Sequence, residues 1–333
     1  MSPIVTPYPI RRSRRLRRTN WIRDMVSENR ITVSDLIWPV FICDGSNKKE
    51  PINSLPGVYR YSIDQVTQVA QKATDVGINC LALFPNTPQS LKTPDCSEAW
   101  NPNNLVNKAT RAIKKVIPNL GILLDVALDP YNSGGHDGLM DGSKILNDET
   151  LFALEKQALA QADAGADILG PSDMMDGRVG VIRKALESKG FKDVLIMSYS
   201  AKYASSFYGP FRDAVGASKS LSGDKKTYQI DCANLQESIR EVALDISEGA
   251  DMVMVKPGLP YLDVCRTIKS ELKVPTFAYQ VSGEYAMIES AALNGFIDRD
   301  QILLETILSF KRAGCDGVLT YFAPQIARLL SKS

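Results

Sequence analysis

The sequence has a single histidine, His136, among its 333 residues. The chain alone therefore offers neither a histidine-based catalytic triad nor a multi-histidine metal site. Its six cysteines are scattered with no close pair, which excludes a zinc knuckle and a redox dithiol motif. We interpret them as reduced residues of the core or of loops: Cys43, Cys80, Cys96, Cys232, Cys265 and Cys315.

Long apolar runs are also missing. No segment approaches the roughly 20 apolar residues that a membrane span needs. The first ten residues lead straight into arginines and lack the apolar centre of a secretory signal. We therefore expect a cytoplasmic protein that does not associate with membranes.

Positive charge is in clear excess in only one short segment. Six of the 39 basic residues lie within eight positions, at 11, 12, 14, 15, 17 and 18, and the rest of the chain is mildly acidic. A basic arm can bind nucleic acid phosphates, but no aromatic stacking residues alternate with these arginines. We therefore expect the arm to contact protein and not nucleic acid.

The chain does contain a repeated pattern of short apolar segments, each followed by a stretch with helical spacing of apolar positions. The pattern predicts eight strands: Leu36–Ile42, Cys80–Pro85, Gly121–Leu128, Asp167–Pro171, Val194–Ser200, Met252–Lys256, Thr276–Val281 and Gly317–Tyr321. Four joints between a helix and the next strand share a glycine, at Gly77, Gly165, Gly249 and Gly314. Glycine at these places is typical of a helix end.

Eight alternating strand and helix units favour one closed parallel (βα)8 barrel, known as a TIM barrel. No glycine-rich dinucleotide fingerprint follows the first strand to favour an open sheet. The segment before the first strand is too basic and irregular to belong to the barrel. We therefore expect an N-terminal arm at residues 1–30, used for subunit contacts, and a catalytic barrel at 31–333.

Two lysines stand at the ends of neighbouring predicted strands. Lys202 comes just past the end of the fifth strand, and Lys256 closes the sixth. In such a barrel the active site lies at the carboxyl ends of the strands. Burial and a second amine nearby disfavour the ammonium form, and a neutral amine is a nucleophile for carbonyl groups. The alternative is that each lysine only extends its head to solvent at the rim.

The third predicted strand ends in a loop rich in aspartate, with Asp125, Asp129, His136 and Asp137 at the same rim. These carboxylates could bind a substrate ammonium or a hard cation such as Mg²⁺. The alternative is a solvated acidic loop.

A long excursion, residues 203–234, follows the fifth strand. Loops of this length in a compact barrel are usually functional, so we interpret it as a lid. Its cations are suited to clamping a substrate carboxylate while the lid excludes water from an imine: Arg212, Lys219, Lys225 and Lys226. The alternative is a disordered surface insertion.

Four segments resemble those of the 5-aminolevulinate dehydratase (porphobilinogen synthase) family, and the likeness runs from about residue 14 to residue 321. The most specific one, Ser200-Ala-Lys-Tyr-Ala-Ser-Ser-Phe-Tyr-Gly-Pro-Phe-Arg-Asp-Ala, resembles the family segment that bears a Schiff-base lysine. The others begin at Pro171 (Pro-Ser-Asp-Met-Met-Asp-Gly-Arg), Met254 (Met-Val-Lys-Pro-Gly) and Tyr279 (Tyr-Gln-Val-Ser-Gly-Glu-Tyr-Ala-Met). The resemblance implies a hydro-lyase that condenses two 5-aminolevulinate molecules into porphobilinogen, with loss of two waters, for heme synthesis.

The resemblance also implies roles for single residues. Lys202 would hold the substrate that becomes the propionate side of the product, with Arg212 and Lys225 on its carboxylate. Lys256 would hold the acetate-side substrate. The carboxylate of that substrate would meet Ser282 and Tyr321, and its amine would meet Asp125 and Asp129.

The metal content follows from the branch of the family that the chain resembles. Where the zinc-dependent branch has three cysteines, this sequence has Ala127, Asp129 and Asp137, so we expect no zinc at the active site. The resemblance leaves open whether a monovalent cation binds loosely there. The resemblance implies an allosteric Mg²⁺ at Glu241, and a homo-octamer in which the N-terminal arm embraces a neighbour.

Two other functions remain open on the sequence. The first is a class I aldolase-type lyase, which uses one Schiff-base lysine; two lysines and a cationic lid argue against it. The second is an inactive barrel kept as an assembly scaffold, which the presence of Lys202, Lys256, Arg212 and Ser282 disfavours.

Overall fold

The structure is a computed structural model that describes residues 7–216, 221 and 223–331. The chain divides into two compact units, of which the first ends at Arg30 and the second begins at Ile31. The first contains a short 3₁₀ helix, Ser13–Arg17, and helix α1, Asn20–Met25, and neither element has a buried residue. That this unit serves subunit contacts stays a prediction.

Among its described residues, the second unit contains twelve strands, of which the eight that form the barrel are apolar and almost wholly buried. The strands are β1 Leu36–Cys43, β2 Lys49–Pro51, β3 Tyr59–Tyr61, β4 Cys80–Asn86, β5 Gly121–Val126, β6 Leu139–Asp141, β7 Lys144–Leu146, β8 Ile168–Pro171, β9 Leu195–Lys202, β10 Met252–Lys256, β11 Thr276–Gln280 and β12 Gly317–Thr320. Eight of them pair in parallel in the order β12-β11-β10-β9-β8-β5-β4-β1. Pairing of β1 with β12, Leu36 opposite Val318, closes the sheet.

The closed sheet confirms the predicted (βα)8 barrel. All eight predicted strands are present, with ends that differ by up to two residues. The fifth strand, β9, extends to Lys202, so the expectation that this lysine lies just past the strand end was wrong. The remaining strands are additions to the barrel: β2 and β3 extend the sheet beside β1, and β6 and β7 form a separate hairpin.

Helices follow the barrel strands along the chain. They are α2 Ile63–Asp75, α3 Leu105–Val116, α4 Asn147–Asp163, α5 Arg178–Lys189, α6 Gly209–Ala214, α7 Gln236–Ser247, α8 Leu262–Leu272, α9 Ser282–Leu293, α10 Arg299–Ala313 and α11 Ala323–Leu330. Capping is local: the Asn104 side chain accepts a hydrogen bond from the amide of Asn107 in the first turn of α3. Within the described residues, no helix is both long enough and apolar enough to cross a membrane.

The four joint glycines have the left-handed backbone that their position predicts. Their φ angles are 81° at Gly77, 96° at Gly165, 108° at Gly249 and 102° at Gly314. At three of the joints the aspartate two residues later accepts a hydrogen bond, 2.7 Å long, from a backbone amide of an adjacent strand; these are Asp167, Asp251 and Asp316. The joints therefore anchor the amino ends of the strands, opposite the rim that carries the lysines.

One irregularity in the barrel sets the register of the two strands that carry the lysines. Val253 of β10 lies opposite Ser198 of β9, whereas Val255 lies opposite Ala201, so β9 has one extra residue between these pairs. After this bulge Lys256 lies directly opposite Lys202. Residues opposite each other in a parallel pair share a face, and a one-residue shift would put the two side chains on different faces.

Candidate active site

A cavity at the carboxyl ends of the strands contains both lysines. The space in it that is open to a water-sized sphere is about 30 Å³, so the cavity is narrow in this conformation. Lys202 is 5% exposed and Lys256 is 6% exposed. The sequence prediction that they share one cavity agrees with this placement, and the cavity is also lined by Asp125, Asp129, Ser172, Tyr208, Phe211, Arg212, Lys225 and Gln229.

Aromatic rings surround the amine of Lys256. The Nζ atom lies 4.9 Å from the ring centre of Tyr279, 5.0 Å from Phe211, 5.2 Å from Tyr199 and 5.4 Å from Tyr208. Burial and the neighbouring Lys202 lower the pKa of Lys256 to about 7, against the opposing effect of the site's aspartates. Near neutral pH a large share of this amine is uncharged and able to attack a carbonyl carbon.

Lys202 has different surroundings. Its Nζ lies 3.0 Å from a carboxylate oxygen of Asp137 and donates to the backbone carbonyl of Ser172. These two acceptors fix the direction of the amine.

The aspartate-rich loop folds back on itself, because the amide of Leu128 donates to the carbonyl of Asp137 over 3.1 Å. This brings Asp129 and Asp137 to the lid residue Lys225, whose Nζ lies 3.4 Å from Asp129 and 2.6 Å from Asp137. Burial would raise the pKa of Asp137, but Lys202 and Lys225 hold it well below its usual range. Asp137 is therefore an anion between two cations.

Asp125, near the end of β5, lines the cavity. Its Oδ1 atom is enclosed and has no hydrogen-bond partner among the described residues. Removal from water and the nearby Asp129 raise the pKa of Asp125 to about 6, while the two lysines oppose the shift. A carboxyl group with this pKa can give or take a proton near neutral pH.

The predicted lid is closed at its base by strand-like hydrogen bonds. The amide of Ile230 donates to the carbonyl of Lys202, and the amide of Ala204 donates to that of Ile230. Between them, α6 carries Phe211 and Arg212 to the cavity. Lys226 is exposed, and the predicted lid cation Lys219 lies outside the described residues.

Ser282 and Tyr321 are buried beside the cavity and do not line it. The Ser282 hydroxyl accepts from the amide of Phe211 over 2.9 Å and donates to the carbonyl of Phe207 over 3.3 Å. The Tyr321 hydroxyl is 2.8 Å from that of Tyr279. In this conformation Ser282 holds the lid, and both hydroxyls already have partners.

Glu241 lies on α7, away from the lysines, at a polar cleft that also contains Glu237 and Asp176. Burial is the main cause that raises its pKa, with Arg178 opposing. Within the described ranges, no group of three or more histidine, cysteine or acidic side chains is arranged to hold a metal ion. A single carboxylate still suits Mg²⁺, which keeps several of its waters when bound.

The sequence did not predict the contacts that two residues of the site, Asp137 and Tyr228, make in the structure. Asp137 was expected to bind a substrate ammonium or a hard cation and to stand at a zinc-ligand position, whereas it pairs with Lys202 and Lys225. The Tyr228 hydroxyl donates to Asp137 over 2.9 Å and lies 3.1 Å from Nδ1 of His136. The pairing of lid and loop joins residues about 90 positions apart, so no local pattern predicts it.

Comparison with known proteins gives consistent matches over nearly the whole chain. A family model described as delta-aminolevulinic acid dehydratase matches residues 10–329. The enzyme of that name from Bradyrhizobium diazoefficiens is 61% identical over 319 residues, which is 96% of this chain and 90% of that protein. The one from Rhodobacter capsulatus is 56% identical over 330 residues, 99% of each chain.

A solved structure extends the likeness to three dimensions. Delta-aminolevulinic acid dehydratase (porphobilinogen synthase) from Toxoplasma gondii, in complex with the reaction product porphobilinogen, is 47% identical in sequence. It superimposes with a TM-score of 0.95 over 97% of this chain and 92% of that chain.

Proposed function

We propose that this chain, which belongs to the delta-aminolevulinic acid dehydratase (porphobilinogen synthase) family, binds its substrates as Schiff bases on Lys202 and Lys256. The reaction is the condensation of two molecules of 5-aminolevulinate to porphobilinogen with loss of two waters, a hydro-lyase step of heme biosynthesis. The observation that carries the proposal is that two buried amines lie opposite each other in one cavity.

The chemistry at Lys256 follows from its lowered pKa. The neutral amine attacks the ketone carbon of the acetate-side substrate, and the carbonyl oxygen leaves as water with the two amine protons. Asp125, whose pKa is about 6, is placed to relay a proton to the departing oxygen. The aromatic rings around Nζ exclude water that would hydrolyse the imine.

On the propionate side, Lys202 is oriented by Asp137 and the Ser172 carbonyl. We assign Arg212 and Lys225 of the lid to the carboxylate of this substrate. Lys225 already holds two aspartates, so binding the substrate exchanges one carboxylate partner for another at similar electrostatic cost.

On the acetate side, we assign Ser282 and Tyr321 to the substrate carboxylate, and Asp125 and Asp129 to its ammonium. Ser282 must release Phe211, and Tyr321 must release Tyr279, before either hydroxyl can donate to the substrate. Because Phe211 belongs to the lid, binding on this side is coupled to a movement of α6.

Borohydride reduction in the presence of 5-aminolevulinate tests the proposal, because hydride adds to the imine carbon, a solvent proton goes to nitrogen, and the adduct becomes permanent. We expect peptide mass spectrometry to find the adduct on Lys202. The Lys256→Met variant should keep that adduct and lose porphobilinogen formation. Absence of adduct from Lys202, or adduct on a residue other than these two lysines, would contradict the proposal. Near-normal turnover in Lys256→Met would contradict the two-amine mechanism and favour a one-lysine, aldolase-type lyase.

For metals, we propose a largely hydrated Mg²⁺ at Glu241, acting as an allosteric activator, and no zinc at the active site; a monovalent cation near Asp125 and Asp129 is compatible with the charge there. When bound, Mg²⁺ would neutralise the acidic cleft around Glu241. We expect Mg²⁺ to stimulate the parent enzyme and not Glu241→Ala, and a zinc-selective chelator to leave activity intact. Inactivation that only zinc reverses would contradict this.

We further propose that the enzyme works in the cytoplasm as a homo-octamer. Two features support self-association: the separate N-terminal unit, and the exposed apolar residues that it carries. The arm is then a protein-contacting element, and neither nucleic acid nor membrane is a partner.

A further inference from the structure

Glu284 is a buried carboxylate of the Tyr279-to-Met287 segment to which the proposed mechanism gives no role. It lies in the first turn of α9 and is 3% exposed. Its two oxygens accept three backbone hydrogen bonds, from Val281 over 2.7 Å, Leu259 over 2.7 Å and Gly258 over 3.2 Å.

One of these bonds is explained by helix capping, and the other two are not. A glutamate in the first turn commonly accepts from the amide that precedes the helix, here Val281. The amides of Gly258 and Leu259, in contrast, lie 26 and 25 positions away, in the loop that follows β10. Capping α9 does not require them.

The two distant amides come immediately after Lys256 and Pro257. The carbonyl of Lys256 itself accepts from the amide of Tyr203 over 2.9 Å and from the hydroxyl of Tyr208 over 3.0 Å. The backbone is therefore held at Lys256 from the lid side and just after it by Glu284. A side chain whose backbone is fixed on both sides has its amine placed within the narrow limits that an addition reaction needs.

The third amide connects the same carboxylate to the residue before Ser282. Ser282 holds the lid through Phe207 and Phe211. Packing there is tight, since a Cβ atom on the next residue, Gly283, would lie 2.5 Å from the carbonyl oxygen of Phe207. Glu284 thus joins the loop of Lys256 to the start of α9, and these two segments form the acetate-side half of the site.

We propose that Glu284 is a positioning residue for Lys256, which sets the amine relative to Ser282 while leaving the Lys202 half of the site unaffected. The inference rests on the proposed Schiff-base function of both lysines. Lys202 is held by other groups, Asp137 and the Ser172 carbonyl, and Glu284 contacts neither of them in the described hydrogen bonds.

The test uses Glu284→Gln, which keeps the shape but turns an amide NH₂ group toward a backbone N–H. The matched control is Glu289→Gln, on the same helix, where the buried carboxylate pairs with Arg299 instead of with the lysine loop. The probe is 4-oxopentanoate, which has the substrate's ketone and carboxylate but no amine, so it forms imines and cannot complete the condensation. After borohydride reduction, peptide mass spectrometry gives the adduct at each lysine separately.

In the parent enzyme we expect adduct at both lysines; if neither is labelled, the Schiff-base function itself fails. In Glu284→Gln we expect the adduct at Lys256 to fall at least about tenfold and that at Lys202 to stay within about twofold, with kcat falling in parallel. Equal loss at both lysines, or none, would overturn the positioning role. Selective loss of the Lys256 adduct in Glu289→Gln would overturn it too, because the stability of α9 would then be the cause.

Discussion

Lys202 and Lys256 are the same residue type in opposite surroundings. Lys202 is paired with the carboxylate of Asp137, whereas the Lys256 amine is surrounded by rings. Removal of an amine from water favours its neutral form. The two lysines therefore differ in their surroundings: the pKa of Lys256 is lowered by burial and by Lys202, whereas the Lys202 amine has a carboxylate partner.

The lowered pKa of Lys256 predicts how the activity depends on pH. Its pKa of about 7 lies below the ordinary value of 10.5, so the reactive neutral form is lost as pH falls through 7. We expect kcat/KM to fall about tenfold per unit well below pH 7. The measurement is the pH profile of kcat/KM from about pH 8 to about pH 5; a flat profile over that range would contradict the assignment.

Asp137 gives a second prediction, on stability as well as on activity. Asp137→Asn removes the carboxylate shared by the buried Lys202 and the partly buried Lys225. We expect the free energy of unfolding, measured by urea denaturation, to fall by about 3 kcal/mol, and kcat/KM to fall at least about tenfold, because Lys202 loses its orientation.

The control for that experiment is Asp141→Asn, in strand β6, where the side chain is exposed. A surface substitution of this kind is expected to change stability by no more than about 0.5 kcal/mol. If both variants lost the same free energy of unfolding and the same kcat/KM, the ion pairs of Asp137 would not be the cause of the loss.

At the scale of elements, the lid helix α6 is fixed from several sides. Arg60, in β3, donates to the carbonyls of Ala214 and Asp213 over 2.7 and 2.6 Å, and Ser54 donates to the Asp213 carboxylate over 2.6 Å. Lys92 donates to the carbonyl of Gly216 over 3.3 Å. Arg60 and Lys92 thus satisfy backbone carbonyls at and just past the end of the helix, where the backbone has no helical partner.

The opposite face of the lid depends on the absence of a side chain at position 283. In Gly283→Ala the new Cβ would lie 2.5 Å from the oxygen and 2.8 Å from the Cα of Phe207, so the lid backbone must move. We expect kcat/KM to fall at least about tenfold because Phe211 and Arg212 move with it. Steady-state kinetics and circular dichroism check activity and fold.

Gly209→Ala is the matched control, at the start of α6. A Cβ at Gly209 would meet no atom within 4 Å, and its φ of −48° is ordinary helical backbone. This variant should keep parental kinetics. Equal loss of activity in both variants would show that any substitution at or beside α6 lowers activity, and that the contact between Gly283 and Phe207 is not the specific cause.

At the scale of the whole molecule, the N-terminal unit carries large apolar side chains in contact with solvent. Trp21 is 63% exposed and Met25 is 69% exposed. Exposed apolar groups gathered in one segment favour burial against another chain. If the arm assembles the proposed octamer, Trp21→Ser should lower the mass measured by light scattering, and Trp21→Phe, which keeps an aromatic surface, should not. An unchanged mass in Trp21→Ser would contradict the role of this residue.

Local periodicity and chain order were enough to predict the eight strands, the glycine joints, the long excursion after the fifth strand and the two lysines at the rim. The remaining features depend on contacts between distant parts of the chain. The bulge in β9 places Lys202 opposite Lys256, and Asp137 and Glu284 act through partners between 25 and about 90 positions away. Such contacts depend on register and on the closure of loops, which no local pattern encodes, so only the folded barrel distinguishes the surroundings of Lys202 from those of Lys256.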